Sequence, residues 1–180
     1  MPPIASDQTG FWKPPDSWTA EQRPKALWPW IVHAGSLTEK LRATVGDTFH
    51  VQVVHEGNAQ LNDEDARLLQ VTPSSMTRVR EVYLCGDIPW VFARTLAPAE
   101  GGRWLDKLGT QPLGERVFAE AGTHRTPIEA ARLDETQPLY QAAIKGMARR
   151  PEFLWARRSV LTVRGGRLLI YECFLSGTGN

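Results

Sequence analysis

The sequence predicts an α+β domain built on antiparallel strands, and three observations carry that prediction. Runs rich in β-branched and aromatic residues extend from Thr48 to His55, from Thr77 to Cys85 and from Pro89 to Leu96. Short turn signals, Gly86-Asp87 and Gly165-Gly166, join consecutive runs as antiparallel neighbours require. Helical patterns are grouped between the strands, which suits an antiparallel α+β arrangement.

Each element has its own local reason. Residues 1–16 are rich in Pro, Gly and polar groups and read as a loose arm ahead of a single domain over residues 17–180. Trp18 to His33 is a helical stretch interrupted by Pro24 and Pro29. Ser36-Leu37-Thr38-Glu39 is a capping box, with Ser at the N-cap and Glu three residues on. The helix it starts runs through Arg42 and ends at Gly46-Asp47. Asn62 to Leu69 reads as a short helix whose first turn is acidic, where negative charge complements the helix dipole. Gly101 to Ala121 holds two short amphipathic pieces, Trp104 to Leu108 and Leu113 to Ala119, parted by a Gly-Thr-Gln-Pro turn. Leu139, Tyr140, Ala143, Ile144 and Met147 fall at helical spacing and predict a short surface helix within residues 135–152. The clearest hairpin comes last, with Phe153 to Val163 and Arg167 to Leu175 flanking Gly165-Gly166.

Composition narrows the function classes. The chain has 180 residues, 42% hydrophobic and 23% charged, which suits one hydrophobic core. A formal net charge of +1 gives no excess positive field for nucleic acid or a membrane surface. No apolar stretch approaches the ~20 residues that span a bilayer. The opening residues carry no basic start followed by an apolar stretch, so no signal peptide is expected and a cytoplasmic location is. Cys85 and Cys173 sit inside apolar runs and read as buried free thiols. Seven Trp residues suggest a core or pocket built from large flat side chains.

No metal or nucleotide chemistry is signalled. His33, His50, His55 and His124 are scattered, and neither Cys-x-x-Cys, His-Glu-x-x-His nor a phosphate-binding loop occurs. The informative anomaly is charge on apolar strand faces. Leu168, Ile170, Glu172 and Phe174 share one face of the last strand, and Leu169, Tyr171, Cys173 and Leu175 share the other. Both faces are apolar, so Glu172 is an interior carboxylate that must be paired, hydrogen-bonded or protonated. Arg80 keeps company with Val82 and Leu84, and Arg94 with Trp90, Phe92 and Leu96. Two readings fit these residues equally. Glu172 with Arg80 or Arg94 is a structural ion pair, or an interior cation and carboxylate face one cavity that takes an anionic aromatic molecule.

At these residues the sequence resembles the chorismate lyase family, from about residue 25 to residue 175. Arg80-Glu81-Val82-Tyr83-Leu84-Cys85, then Pro89-Trp90 and Ala93-Arg94-Thr95, resembles its central strand pair. Leu108-Gly109 with Pro112-Leu113-Gly114 is similar to its flap segment. Trp155-Ala156-Arg157-Arg158-Ser159, Gly166, Leu168-Leu169 and Glu172 before Phe174-Leu175 are similar to its C-terminal hairpin. Gly35-Ser36-Leu37-Thr38 resembles the start of its second helix, where the family often has Met at the position of Leu37.

The resemblance implies a single antiparallel sheet with helices on one side, and an internal ligand pocket closed by two helical flaps. It implies elimination of pyruvate from chorismate to give 4-hydroxybenzoate, the first committed step toward ubiquinone, by a monomer using no cofactor and no metal. Arg80 corresponds to the arginine on the ring carboxylate and Glu172 to the essential carboxylate near the ring hydroxyl. Leu37 and Leu113 correspond to flap residues that contact the ligand through backbone groups. Arg94, Arg157 and Arg158 are candidates for the second substrate carboxylate. Residues 135–152 form an insertion relative to shorter family members. Two alternatives stand beside this reading: a related chorismate-processing enzyme giving another hydroxybenzoate, and a non-catalytic domain of the same fold that binds an aromatic carboxylate. Regulators of the latter kind carry a DNA-binding winged helix before the sensor, whereas here about sixteen residues precede the first helix.

Overall fold

Seven strands form one antiparallel sheet: β1 (His50–Ala59), β2 (Thr77–Cys85), β3 (Pro89–Pro98), β4 (His124–Arg125), β5 (Glu129–Leu133), β6 (Leu154–Val163) and β7 (Gly166–Phe174). Their order is β1-β2-β3-β7-β6-β4, and β5 also pairs with β6. The computed structural model describes residues 11–98, 102, 105–163 and 166–175. Trp104, Gly165 and residues 1–10, to which the amphipathic piece, the hairpin turn and most of the arm were assigned, lie outside them.

The local rules hold for most elements. Ser36 caps helix α2 (Leu37–Val45) by accepting a hydrogen bond from the Glu39 N–H, and Gly46 ends it at a φ of 61°. Asn62 caps α3 (Asp63–Leu69) in the same way through the Asp65 N–H. Leu113–Ala119 forms α4 over the expected residues. Between Trp18 and His33 only α1 (Trp28–Ile31) is regular helix, because Pro24 and Pro29 remove two donors from so short a stretch.

Two expectations change. Residues 11–16 are not loose: Trp12 is buried against Tyr171, and Lys13 pairs through its backbone with Ala130. A large apolar ring so close to the chain end finds a place on the sheet, and its burial outweighs the local Pro and Gly content. Within residues 135–152, helix α5 (Pro138–Ala143) forms but docks instead of lying on the surface, with Leu139, Tyr140, Ala143 and Ile144 buried. The Tyr83 hydroxyl fastens it, donating to the Ala143 carbonyl at 2.9 Å and accepting from the Gly146 N–H at 3.1 Å.

Strand alternation divides the core. Leu169, Tyr171, Cys173 and Leu175 belong to one apolar cluster, closed by α3, α5 and Trp12. Phe174 on the opposite face packs with Ile31 of α1 and with Leu37 and Leu41 of α2. Leu168 and Ile170, on that same face, pack with Val117 of α4. Helices α3 and α5 therefore cover one face of the sheet, and α1 with the two helices over the cavity, α2 and α4, covers the other. A strand apolar on both faces requires this, since neither can be left to water.

Candidate active site

On the Glu172 face the sheet forms the floor of a narrow cavity of about 40 Å³. Val82, Leu84, Ala93 and Ile170 supply apolar floor, and Arg80, Arg125 and Glu172 supply its charges. The roof is two helix starts, Leu37-Thr38 of α2 and Leu113-Gly114 of α4, so both flap residues line the cavity. The flaps touch. A Cβ placed on Gly114 would sit 2.8 Å from Ser36 Oγ and 2.9 Å from Thr38 Oγ1. An ion pair between Arg42 and Glu115 ties the same two helices farther out.

Glu172 is 8% exposed, and its carboxylate is held by a neighbour on the next strand. Arg157 lies opposite it in the β6–β7 register, and Arg157 Nε donates to Glu172 Oε2 at 2.5 Å. Arg157 is fully buried and its Nη1 donates to the carbonyls of Trp30, Ile31 and His33, at and beyond the C-terminal end of α1. It fastens that helix to the sheet while fixing the carboxylate. Burial pushes the Glu172 carboxyl up, but the charges of Arg157 and Arg125 and the hydrogen bond outweigh it and hold the group below its ordinary value. The interior ion pair expected of Glu172 therefore exists, with Arg157 as partner in place of Arg80 or Arg94. Arg157 does not line the cavity.

Arg80 reaches the cavity from β2, two strands away. It is 4% exposed, paired with the half-exposed Glu56 of β1, and its Nη2 donates to the Gln111 carbonyl at 3.4 Å in the segment leading into α4. One guanidinium thus touches the sheet edge, the flap segment and the cavity.

Arg94 and Arg158 are elsewhere. Each is one residue out of step with its strand's positions on the cavity side of the sheet, Ala93 and Thr95 on β3 and Arg157, Ser159 and Leu161 on β6, so alternation turns it to the opposite face. Arg94 pairs with Glu81 at 2.6 Å, and Arg158 binds Glu64 and Glu129 at 2.9 and 2.7 Å. Arg94 and Glu81 line a larger cavity of about 340 Å³ on that side, together with Asp65 and Tyr171. Its arginine is neutralised by an acid, and burial raises both the Asp65 carboxyl and the Tyr171 hydroxyl, whose hydrogen bond to each other occupies them.

Arg125 was not singled out in the sequence. It sits in a two-residue strand amid turn residues, where no alternation marks a buried face. Its Nη1 donates to Ser159 Oγ at 2.9 Å, and its guanidinium lies 5.2 Å from the centre of the Phe118 ring on α4. Its Nε is buried without a hydrogen-bond partner among the described residues.

The described tryptophans do not line this cavity. Trp18 and Trp28 pack on Trp155, and Trp30 on Trp90, around α1, so their apolar area goes to anchoring that helix. Phe118 is the aromatic ring that faces the cavity. Both cysteines are buried and unpaired, and burial pushes the Cys173 thiol up to about 12, which suits a core residue and not a nucleophile.

Fold and site together define an antiparallel α+β domain with a small charged cavity between its sheet and two helix starts. Solved structures of similar fold include the effector domain of PhnF from Mycobacterium smegmatis, with a TM-score of 0.56 at 16% identity, covering 79% of this chain and 89% of that one. A GntR-family transcriptional regulator from Bacillus cereus has a TM-score of 0.53 at 10% identity over 74% of this chain and 96% of its own. Sequence identifies the family within that fold. The chorismate lyase family model matches residues 7–179, and the chain belongs to that family. A probable chorismate pyruvate-lyase of Aromatoleum aromaticum is 37% identical over 159 residues, covering 84% of this chain and 85% of that protein. One from Pseudomonas aeruginosa strain UCBPP-PA14 is 40% identical over 151 residues, covering 81% of each.

Proposed function

We propose that this chain is a chorismate pyruvate-lyase, a carbon–oxygen lyase that eliminates pyruvate from chorismate to leave 4-hydroxybenzoate, the first committed step toward ubiquinone. One observation carries the reading: Arg80 and Glu172 face one closed cavity from strands two apart, with an apolar floor between them. At roughly 4.8 Å per strand and 3.4 Å per residue, their backbone positions lie on the order of 12 Å apart. Two side chains at that span bracket the apolar floor, and a six-membered ring enters as the two helix starts above it part, since the cavity as it stands is about 40 Å³.

The chemistry asks for orientation and proton handling. Chorismate is a dianion whose enolpyruvyl ether stands beside a hydroxyl-bearing ring carbon. The ether C–O bond breaks, that carbon loses its proton, the proton ends on the methyl of pyruvate, and the ring becomes aromatic. No electron is gained or lost overall, so no redox cofactor is required. Arg80 takes the ring carboxylate, sharing or displacing Glu56. Glu172, kept ionised by Arg157, accepts the ring hydroxyl and assists removal of the neighbouring proton. The N-terminal amides of α2 and α4, at Leu37 and Leu113, close over the ligand. Pro112 offers α4 no side-chain cap, which leaves its first N–H groups for the ligand. Holding the reacting groups in this geometry can supply up to ~7–11 kcal/mol of the barrier.

Incubation of the purified protein with chorismate, followed by mass and ultraviolet identification of the products, tests the proposal. Equimolar 4-hydroxybenzoate and pyruvate are expected. A different hydroxybenzoate, or tight binding with no turnover, would replace it by one of the two alternatives.

A further inference from the structure

The proposed substrate carries two carboxylates and the proposed product one, and the two charges need separate partners. We infer that Arg125 holds the carboxylate of the departing enolpyruvyl group, and that it separates substrate from product in this cavity. This rests on the lyase reading above.

The assignment follows from which cations the cavity offers. Arg80 and Arg125 are the arginines that line it among the described residues. Arg157, buried behind the floor, gives Nε to Glu172 and Nη1 to three backbone carbonyls. Arg94 and Arg158 face the other side of the sheet and are bound to acids there. With Arg80 on the ring carboxylate, Arg125 is the cation left for a second anion.

Its position also suits that anion. The enolpyruvyl ether stands next to the ring hydroxyl, so its carboxylate falls at the Glu172 end of the cavity. Arg125 is on that end: its partner Ser159 pairs with Ile170, the next residue to Glu172 on the cavity face of β7, and Arg125, Ile170 and Glu172 line the same cavity. Ser159 Oγ anchors one edge of the guanidinium through Nη1. Its buried Nε has no acceptor among the described residues, so part of the planar fork that binds carboxylates bidentately is unspent. Phe118 lies against the guanidinium and belongs to flap helix α4, so a ligand drawn to Arg125 also meets the flap that covers it. Once the ether breaks, pyruvate takes this contact with it. What remains is held by Arg80, Glu172 and the flap amides.

The test compares chorismate with 4-hydroxybenzoate on the same variants. Arg125→Gln should raise KM for chorismate tenfold to a hundredfold, the range for losing a charge-assisted hydrogen bond. The Kd for 4-hydroxybenzoate should stay within about twofold of wild type. Arg125→Lys keeps the charge without the fork and should recover part of the chorismate affinity. It also serves if the Gln variant does not fold. Equal weakening of both ligands would make Arg125 a structural residue, and no change in either would remove it from the site; each overturns the inference. Wild-type turnover is measured first and judges the lyase reading separately. If wild type binds chorismate without turning it over, the same ratio is read from equilibrium titration of both ligands.

Discussion

Arg157 and Glu172 stand side by side on β6 and β7, joined by a 2.5 Å bond from Nε to Oε2, with the arginine fully buried and the acid nearly so. A buried carboxylate at the floor of a largely apolar cavity would otherwise take up a proton or fail to bury. The pair keeps it charged and aimed, which makes Arg157 a positioning residue for whatever Glu172 does.

Removing that partner should be expensive. Arg157→Met leaves Glu172 as an unpaired interior charge and frees the carbonyls at the end of α1. A loss of ~3–5 kcal/mol is expected from urea unfolding, since breaking a buried pair costs more than the pair contributes. The carboxyl should also titrate at higher pH in the variant, visible by carbon-detected NMR of labelled Glu. A change below 1 kcal/mol would mean that the pair carries little.

The same pair sets an acid limit. Glu172 lies below its ordinary 4.5 in the folded chain, so the unfolded chain binds its proton first as pH falls. Its contribution to stability is therefore complete above about pH 4.5 and is lost as pH drops through the folded-state value. His33, held below 6.5 mainly by burial, adds a separate decline that begins near 6.5. The melting temperature of Glu172→Gln should fall less steeply than that of wild type below pH 4.5, with the two profiles parallel above it. Parallel profiles throughout would show that Glu172 is not held ionised.

Flap closure depends on a missing side chain. Gly114 approaches Ser36 and Thr38 at distances where a Cβ has no room. Gly114→Val should wedge the flaps apart, raising the Kd of 4-hydroxybenzoate at least tenfold with little change in melting temperature. Product closed in this way should leave slowly, so wild type should show a burst of product before a slower steady rate, and the variant should lose it. A wild-type progress curve without a burst would place the slow step in the chemistry.

Activity should survive chelation and exhaustive dialysis, because the elimination balances without a metal or redox partner. Loss on chelation, restored by one divalent cation, would require a different mechanism.

Most of the fold was legible because local rules decided it. The capping box at Ser36, the acidic first turn after Asn62 and the residues of β2 stand where the sequence puts them. Alternation also placed Glu172 and Arg80 on apolar, cavity-facing sides. Register was not legible. A turn at Gly165-Gly166 pairs Ser159 with Glu172, whereas the strands meet at Val163 and Gly166, which sets Arg157 there. Such a shift changes a partner without changing any face, so periodicity could not reveal it. Arg94 does share the face of Phe92 and Leu96, but that face lies on the other side of the sheet from Arg80 and Glu172, and alternation within one strand does not say which faces of two strands meet. Only Trp90 leaves that face, beside the irregularity between Leu84 and Cys85. Arg125 left no pattern at all, since two residues of strand have no period.

The most direct test of the account is the kcat of Glu172→Gln on chorismate, measured on protein shown to be folded. The Gln amide oxygen can still accept from Arg157 Nε, so shape and packing persist while the charge is lost. The account predicts a fall in kcat of at least a hundredfold, within the range of general acid–base assistance, with 4-hydroxybenzoate still bound within about tenfold of wild-type affinity. A folded variant that turns over chorismate at the wild-type rate would contradict it and leave Glu172 as one half of a core ion pair.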